Sequence, residues 1–390
     1  MIYLDHAAAT PVSEKVLNAM TPYMTESFFN PSSPYLPAKR VREDYEEAKS
    51  KIANFIGAKG NDIVITSGAT EANALAFTSV NSTKKARSEN ATILVLETEH
   101  ASVLENAKRY GAETIKVDKT GLVDLDDLKR KITDDTELIS ISLANNELGT
   151  IQPIAEISQI IKDIRASRLK RGLMTQLLLH SDASQGLALL ELNVSRLGVD
   201  LLTLSAAKVS GPKGVGALYI AHGIQLEPII SGGGQERNLR SGTENVAAVV
   251  GFAKALEQVH GHSSALRNKY SVLVENLKHE LSTAKVQPLF LGNEKHKLAN
   301  FLPLSFPGLD AERLIFKLEE RQVYLSTGAA CSAHKGKPSH VLQAIGLSDD
   351  EINGSLRISL GVLNDTENVK KAGQIIREVV DKEWERLNDA

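Results

Sequence analysis

The segment Leu201-Leu202-Thr203-Leu204-Ser205-Ala206-Ala207-Lys208-Val209-Ser210-Gly211-Pro212-Lys213-Gly214-Val215-Gly216 runs from a short apolar pattern into a lysine, a Gly/Pro-rich turn and a second apolar pattern. A brief apolar run bounded by turn residues reads as a buried strand. Lys208 therefore leaves the sheet edge into a semi-enclosed space. Desolvation there disfavours the ammonium and leaves an amine able to attack an aldehyde. A solvated lysine in a tight hairpin is the plainer alternative, and Lys213 competes for any special role.

Outward from this segment the same rhythm repeats. DIVITS (62–67), ATILVLE (91–97), TIKVD (114–118), ELISISLA (137–144), QLLLHSD (176–182) and GVGALYI (214–220) are short apolar runs, most of them separated by amphipathic stretches. Val41, Tyr45, Ala48, Ile52 and Phe55 recur at helical spacing before Gly57, which predicts a helix over about 38–56. Strands alternating with helices predict an α/β unit with a largely parallel, helix-covered sheet. After about Phe252 the pattern changes. A long helical stretch runs through Leu281, followed by strand candidates FLPLSF (301–306), QVYLS (322–326) and SLRISL (355–360). A terminal helix then carries the stripe Val369, Ala372, Ile376, Val379 and Val380. At 390 residues the chain exceeds what one core usually organises. The predicted division is a large domain over 14–255, with a smaller α+β domain from 1–13 and 256–390.

Composition narrows the function. The chain is 42% hydrophobic and 24% charged, the balance of an ordinary globular protein. A net charge of −3 gives no global positive field, so direct binding to nucleic acid or to an anionic membrane is not expected. The opening MIYLDHAAATP lacks the pattern of a secretory signal, and no apolar run approaches the ~18 residues that span a bilayer; the expected location is cytoplasmic. The single cysteine, Cys331, excludes an intrachain disulfide and a multi-cysteine metal cage, and no metal site is predicted. Lone cysteines are more often buried and inert. The run Ser326–Lys337 is nonetheless small-residued and polar, and His334, Lys335 and Lys337 favour a thiolate, so an accessible thiol is expected.

Other segments carry softer signals. Thr66-Ser67-Gly68-Ala69-Thr70-Glu71 ends a strand, turns closely at Gly68 and starts a helix, an arrangement that binds anions; an ordinary turn with a Thr cap fits as well. His180-Ser181-Asp182-Ala183-Ser184-Gln185 places Asp182 at the carboxyl end of the sheet, where open α/β folds bind ligands. An aspartate there can keep a pyridine nitrogen protonated, or can simply cap a turn. The same two readings apply to His100 in Glu97-Thr98-Glu99-His100 and to Asn146 in Asn145-Asn146-Glu147-Leu148-Gly149.

Taken in order, YLDHAAATP, NPSS, SGATEAN, TEH, NNELG, SDASQ, KVSGPKGVGAL, GGGQERNLRSGTENV, STGAACS and SLRISLG run nearly end to end. With these motifs the chain resembles the cysteine desulfurases, the sulfur-mobilising branch of the class V aminotransferase-like family, with the fold-type I pyridoxal phosphate architecture. The resemblance implies pyridoxal 5′-phosphate held as a Schiff base on Lys208, with Asp182 pairing the pyridinium nitrogen. It implies that Gln185 and Asn146 contact the ring's phenolic oxygen, and that His100 stacks on the ring and serves as acid or base. Ala69, Thr70 and Ser205 match phosphate contacts, and Thr243 matches one made across a homodimer interface. Asn30 and Arg357 match residues that hold the substrate carboxylate. Strand alternation places Arg357 opposite Leu356 and Ile358, away from the small domain's core.

Cys331 matches the nucleophile that takes sulfur from L-cysteine as a persulfide while L-alanine leaves, and its loop is similar in length to that of the mobile-cysteine group. The persulfide would pass to a sulfur-acceptor protein. The pathways related proteins serve are iron–sulfur cluster assembly, tRNA thiolation, cofactor synthesis and DNA phosphorothioation. One position departs from the pattern: Ala207 stands where the family usually has a His that helps hold the phosphate. Two alternatives accompany this reading. One is a selenocysteine lyase or another eliminase or aminotransferase of the same fold; the other is an inactive cofactor-binding scaffold or regulator.

Overall fold

The computed structural model describes residues 1–82, 92–328 and 338–388. Its largest feature is a seven-stranded sheet in the order Ile63–Thr66, Gly216–Ile220, Leu201–Ser205, Leu178–Asp182, Thr136–Ser140, Thr92–Leu96, Glu113–Ile115. All neighbours pair in parallel except at Gly216–Ile220, which runs antiparallel to both of its partners. The chain length explains this exception. Residues 206–215 are fewer than the dozen or so that a parallel crossover needs, so the strand after Lys208 must return.

Both faces of the sheet are covered, as the near-continuous apolar strands require. Alternate residues divide between two cores: Leu94, Leu96, Leu202 and Leu204 join the helices Leu36–Phe55, Ile154–Lys170 and Val246–Val259. Ile93, Val95 and Leu201 instead join Leu75, Phe77 and Val103 from the helices Ala69–Phe77 and Ala101–Arg109. The helix Leu36–Phe55 buries Val41, Tyr45, Ala48 and Ile52. It ends at Gly57, with φ +71° and the Asn193 side chain 2.5 Å from where a Cβ would lie.

The helical stretch expected through Leu281 is two helices, Val246–Val259 and Ser263–Leu281. Gly261 at φ +74° breaks the chain between them. A second, antiparallel sheet follows in the order Ser326–Thr327, Ser355–Ser359, Phe301–Ser305, Leu289–Phe290. Its core joins Phe301, Leu304 and Ile358 to Leu277, Leu314 and Ile376 from the helices Ser263–Leu281, Ala311–Glu320 and Thr366–Asn388. The amino terminus is part of this layer: Ile2–Tyr3 pairs in parallel with Val323–Tyr324, and Asp5 bridges Ser359. The segment after Asp5 then crosses to the carboxyl edge of the large sheet, where Thr10 N–H donates to Ala207 O at 3.1 Å. Among the described residues, no helix is long and apolar enough to cross a membrane.

Candidate active site

Strand Leu201–Ser205 ends in one tight turn, Ala206–Lys208, which swings the Lys208 side chain over the carboxyl edge of the sheet. Lys208 Nζ donates to Ala7 O at 2.8 Å and Ala8 O at 2.6 Å, so the amino-terminal segment holds the amine. The neighbouring strand ends at Asp182. Its Oδ1 accepts from Ser184 N–H at 2.9 Å and its Oδ2 from Asn73 Nδ2 at 2.9 Å. Between these groups lies a cavity of about 370 Å³. Of the residues predicted from sequence, Ala69, Thr70, His100, Asn146, Asp182, Gln185, Ser205, Lys208 and Arg357 all line it.

The anion end is built by the turn into the helix Ala69–Phe77. Gly68 adopts φ +150°, and Gly216 packs so closely that a Cβ on it would lie 2.7 Å from the Gly68 carbonyl carbon. Glycine at both positions lets the returning strand close under the turn. The amides of the first helical turn have no acceptor within the helix and point their dipole at whatever lies before it. Glu71 braces this turn, accepting from Ser67 N–H at 2.7 Å and Arg240 Nε at 3.0 Å. Burial pushes its carboxyl up, but the Ser67 and Arg240 donors outweigh that and leave it below the usual range.

His100 caps the helix Ala101–Arg109, its Nδ1 accepting from Ser102 N–H at 3.1 Å. Burial holds the imidazole below its ordinary value; Lys208, His340 and Arg357 add to this against the pull of Asp182, so the ring is neutral at neutral pH. Arg357 comes from the small sheet and is 4% exposed. Its Nη2 donates to Asp5 Oδ1 at 2.7 Å and its Nη1 to Asn146 O at 2.9 Å, while the buried Nε has no partner among the described residues. Gln185 Nε2 donates to Ala7 O at 3.1 Å.

Two predicted residues lie elsewhere. Asn30 is exposed, with its carboxamide oxygen accepting from Ser32 N–H, and Thr243 is exposed outside the cavity. Cys331, with His334, Lys335 and Lys337, lies outside the described residues. Four residues of the site were not anticipated: Asp5, Asn73, Glu99 and Ser102. Glu99 is fully buried behind His100; one oxygen accepts from Ser142 N–H and the other has no partner among the described residues. Burial, reinforced by Asp182, pushes it up to about 8. Asn73 had left a trace in the sequence, a polar residue inside the apolar Ala72–Phe77 run.

A cavity with a lysine amine at one wall, a carboxylate between two N–H donors at another, a helix amino terminus and a buried arginine donor without an acceptor suits one kind of occupant. That occupant is an anion with a carbonyl carbon in reach of the lysine amine. Among the described residues no group of three His, Cys, Asp or Glu side chains could hold a metal. Residues 2–372 match the class-V aminotransferase family. A cysteine desulfurase of Archaeoglobus fulgidus is 40% identical, with the alignment covering 98% of this chain and 97% of that one. The chain belongs to the cysteine desulfurases.

Two solved structures agree with this assignment. A NifS-like protein superposes with a TM-score of 0.89 at 32% identity, over 98% of this chain and 99% of its own. SspA in complex with cysteine gives 0.78 at 32%, over 92% and 99%. The fold is therefore that of the fold-type I pyridoxal phosphate enzymes, and cysteine desulfurases of this family use pyridoxal 5′-phosphate. The cavity's residues fit that group. Ser205, Thr70 and the open helix turn suit its phosphate, Asp182 its ring nitrogen and Lys208 its aldehyde.

Proposed function

We propose that this chain converts L-cysteine to L-alanine and leaves the sulfur as a persulfide on Cys331, for transfer to a sulfur-acceptor protein. The observation that carries this reading is the convergence of Lys208, Asp182, His100 and Arg357 on one cavity. When bound, pyridoxal phosphate supplies an electron sink for the substrate's Cα. Asp182, held by Ser184 N–H and Asn73, keeps a carboxylate at the ring nitrogen. Arg357, which lines the cavity, holds the substrate carboxylate. Lys208, released from the Ala7 and Ala8 carbonyls, takes the Cα proton. The Cys331 thiolate then forms an S–S bond to the substrate sulfur as the Cβ–S bond breaks; the carbon keeps the electron pair and is protonated to alanine.

The residues flanking Cys331 support its part in this. Thr327 pairs with Leu356 next to Arg357, Gly328 N–H donates to Ser355 O at 3.1 Å, and His340 Nε2 donates to Glu99 O at 3.0 Å. Ser339 Oγ donates to Glu147 Oε2 at 2.5 Å. The described residues on either side of the segment that contains Cys331 thus touch the chain neighbours of Arg357 and His100.

The working unit in this reading is a homodimer with Thr243 completing the partner's phosphate site. Its support is the exposed position of Thr243, on the same segment as the exposed Ile229 and Ile230. Support for a division into a large domain, 14–255, and a small one, 1–13 with 256–390, comes from an apolar core beside each sheet, although Ala144 and Leu189 of the large unit join the core of the small one.

The test is to mix the purified protein with L-cysteine and measure alanine, sulfide and the mass of the Cys331 peptide. Stoichiometric alanine and a gain of one sulfur are expected. If Cys331→Ala releases sulfide at the parent rate, the nucleophile is misassigned; if Lys208→Ala keeps a borohydride-reducible link to the cofactor, the lysine is.

A further inference from the structure

We propose that Asn73 and Ser102 are positioning residues that fix His100 as a neutral imidazole with its proton on Nε2, a stacking ring and hydrogen-bond donor and not a base. The inference rests on the cavity taking pyridoxal phosphate, but not on which group accepts the sulfur.

Three hydrogen bonds of fixed direction carry the argument: Asn73 Nδ2 to Asp182, Asn73 Nδ2 to Ser102 Oγ, and the backbone N–H of Ser102 to His100 Nδ1. Asn73 is fully buried on the helix that opens the anion site, and its Nδ2 donates to Asp182 Oδ2 at 2.9 Å and to Ser102 Oγ at 2.9 Å. A carboxylate can only accept. Turning the amide over would set its oxygen against Asp182, so the acid fixes which way Asn73 faces. Asn73 Oδ1 is buried without a partner among the described residues, and the orientation is kept despite that cost. The Ser102 hydroxyl, held by this amide proton, lies 2.8 Å from His100 Nδ1, and it donates there once that nitrogen is an acceptor. The backbone N–H of Ser102 donates to the same nitrogen.

Nδ1 therefore faces two donors and must present its lone pair. Protonating it would oppose N–H to N–H and would require the Ser102 hydroxyl to turn away from a ring it reaches only because Asn73 holds it. The remaining ring proton sits on Nε2. The charged groups around the ring are Asp182, which favours a second proton, and Lys208, His340 and Arg357, which oppose it. Asp182 is thereby tied to the ring's proton through Asn73 as well as through space.

The experiment uses the full-length, cofactor-loaded protein with ¹⁵N-labelled histidine, the His100 signals being assigned by comparison with His100→Gln. One pyridine-type and one pyrrole-type nitrogen are expected, the latter being Nε2, unchanged from about pH 6 to about pH 8. Ser102→Ala and Asn73→Leu should each raise the His100 midpoint above that of the parent by roughly half to one unit, the equivalent of one hydrogen bond, in titrations carried below about pH 6. Ser102→Thr keeps the hydroxyl and should keep the parent pattern. Thermal unfolding identifies any variant that fails to fold, and if Asn73→Leu does, Ser102→Ala reads the same link. An Nδ1–H ring in the parent protein, or a pattern unmoved in both variants, overturns the inference. Alanine formation separates the two readings. A protein that makes alanine with an Nδ1–H ring overturns this inference alone, whereas an Nε2–H ring without alanine overturns the proposed reaction alone.

Discussion

Glu236 and Glu99 are both buried carboxylates beside the large sheet, and they are held in opposite ways. Glu236 Oε1 accepts from Tyr45 OH at 2.5 Å, Oε2 accepts from Ile65 N–H at 2.7 Å, and Lys49 Nζ lies 3.1 Å from both oxygens. Glu99 accepts one backbone N–H, and its second oxygen has no partner. The first acid anchors a loop in which Glu236, Arg237 and Asn238 all adopt positive φ, a conformation that costs a non-glycine residue roughly 1–2 kcal/mol. The second sits directly before His100 on the wall of the reaction cavity. A fully paired buried charge here shapes backbone, and an unpaired one marks the place where protons matter.

The largest expected effect breaks the first half of this contrast. Glu236→Ala leaves Lys49 charged and Tyr45 without an acceptor in a site where the lysine and glutamate side chains are 7% and 5% exposed. Removing one partner of such a pair costs about 4 kcal/mol, which urea unfolding would register. A loss no larger than that of a surface substitution, about 0.5 kcal/mol, would show that the loop holds its shape without the anchor. The loop also presents Arg240 to Glu71, so the variant should weaken cofactor retention too.

Glu99→Gln tests the second half, through a dependence on pH and not through a fixed loss. Burial raises the folded-state value to about 8 from an unfolded value near 4.5, so the native protein binds more protons than the unfolded chain between them. Stability from this group is therefore complete below about pH 4.5 and is lost as pH rises through about 8. The amide variant has no such proton. Relative to the parent it should gain roughly 1.4 kcal/mol per pH unit across that interval, read from unfolding midpoints at several pH values. A difference that stays flat from pH 5 to pH 8 would mean Glu99 is ionised in the folded protein.

Much of this was legible in the sequence, for identifiable reasons. The alternation of apolar runs with helical stripes specified a covered parallel sheet, and Lys208, Asp182 and His100 each followed a strand, which put them at one edge. The single long helix predicted past Phe252 failed because one glycine at positive φ outweighs an unbroken apolar pattern. Asp5, Asn73 and Ser102 were missed because their roles depend on partners far away in the chain: Asp5 on Arg357, Asn73 on Asp182, and Ser102 on Asn73. No local spacing encodes such pairs. Glu99 was overlooked beside His100 because burial, which makes it unusual, is a property of the packed sheet and not of the tripeptide Thr98-Glu99-His100.

Ala207 offers the smallest and most local test. It lines the cavity beside Lys208, and its carbonyl accepts from Thr10 N–H at 3.1 Å and Thr10 Oγ1 at 2.9 Å, so its backbone is pinned independently of its side chain. A substitution there should change the wall of the cavity without moving the lysine. Ala207→His restores the residue common in the cysteine desulfurases. If the phosphate lacks a donor in the parent protein, the variant should lose bound cofactor about five-fold more slowly, the equivalent of about 1 kcal/mol from one net hydrogen bond. Cofactor absorbance during dialysis measures this, and the KM for cysteine should not change, because Arg357 lies on a different strand. Equal or faster loss would mean that Ser205, Thr70 and the open helix turn already satisfy the phosphate, and that alanine at this position leaves nothing unpaired.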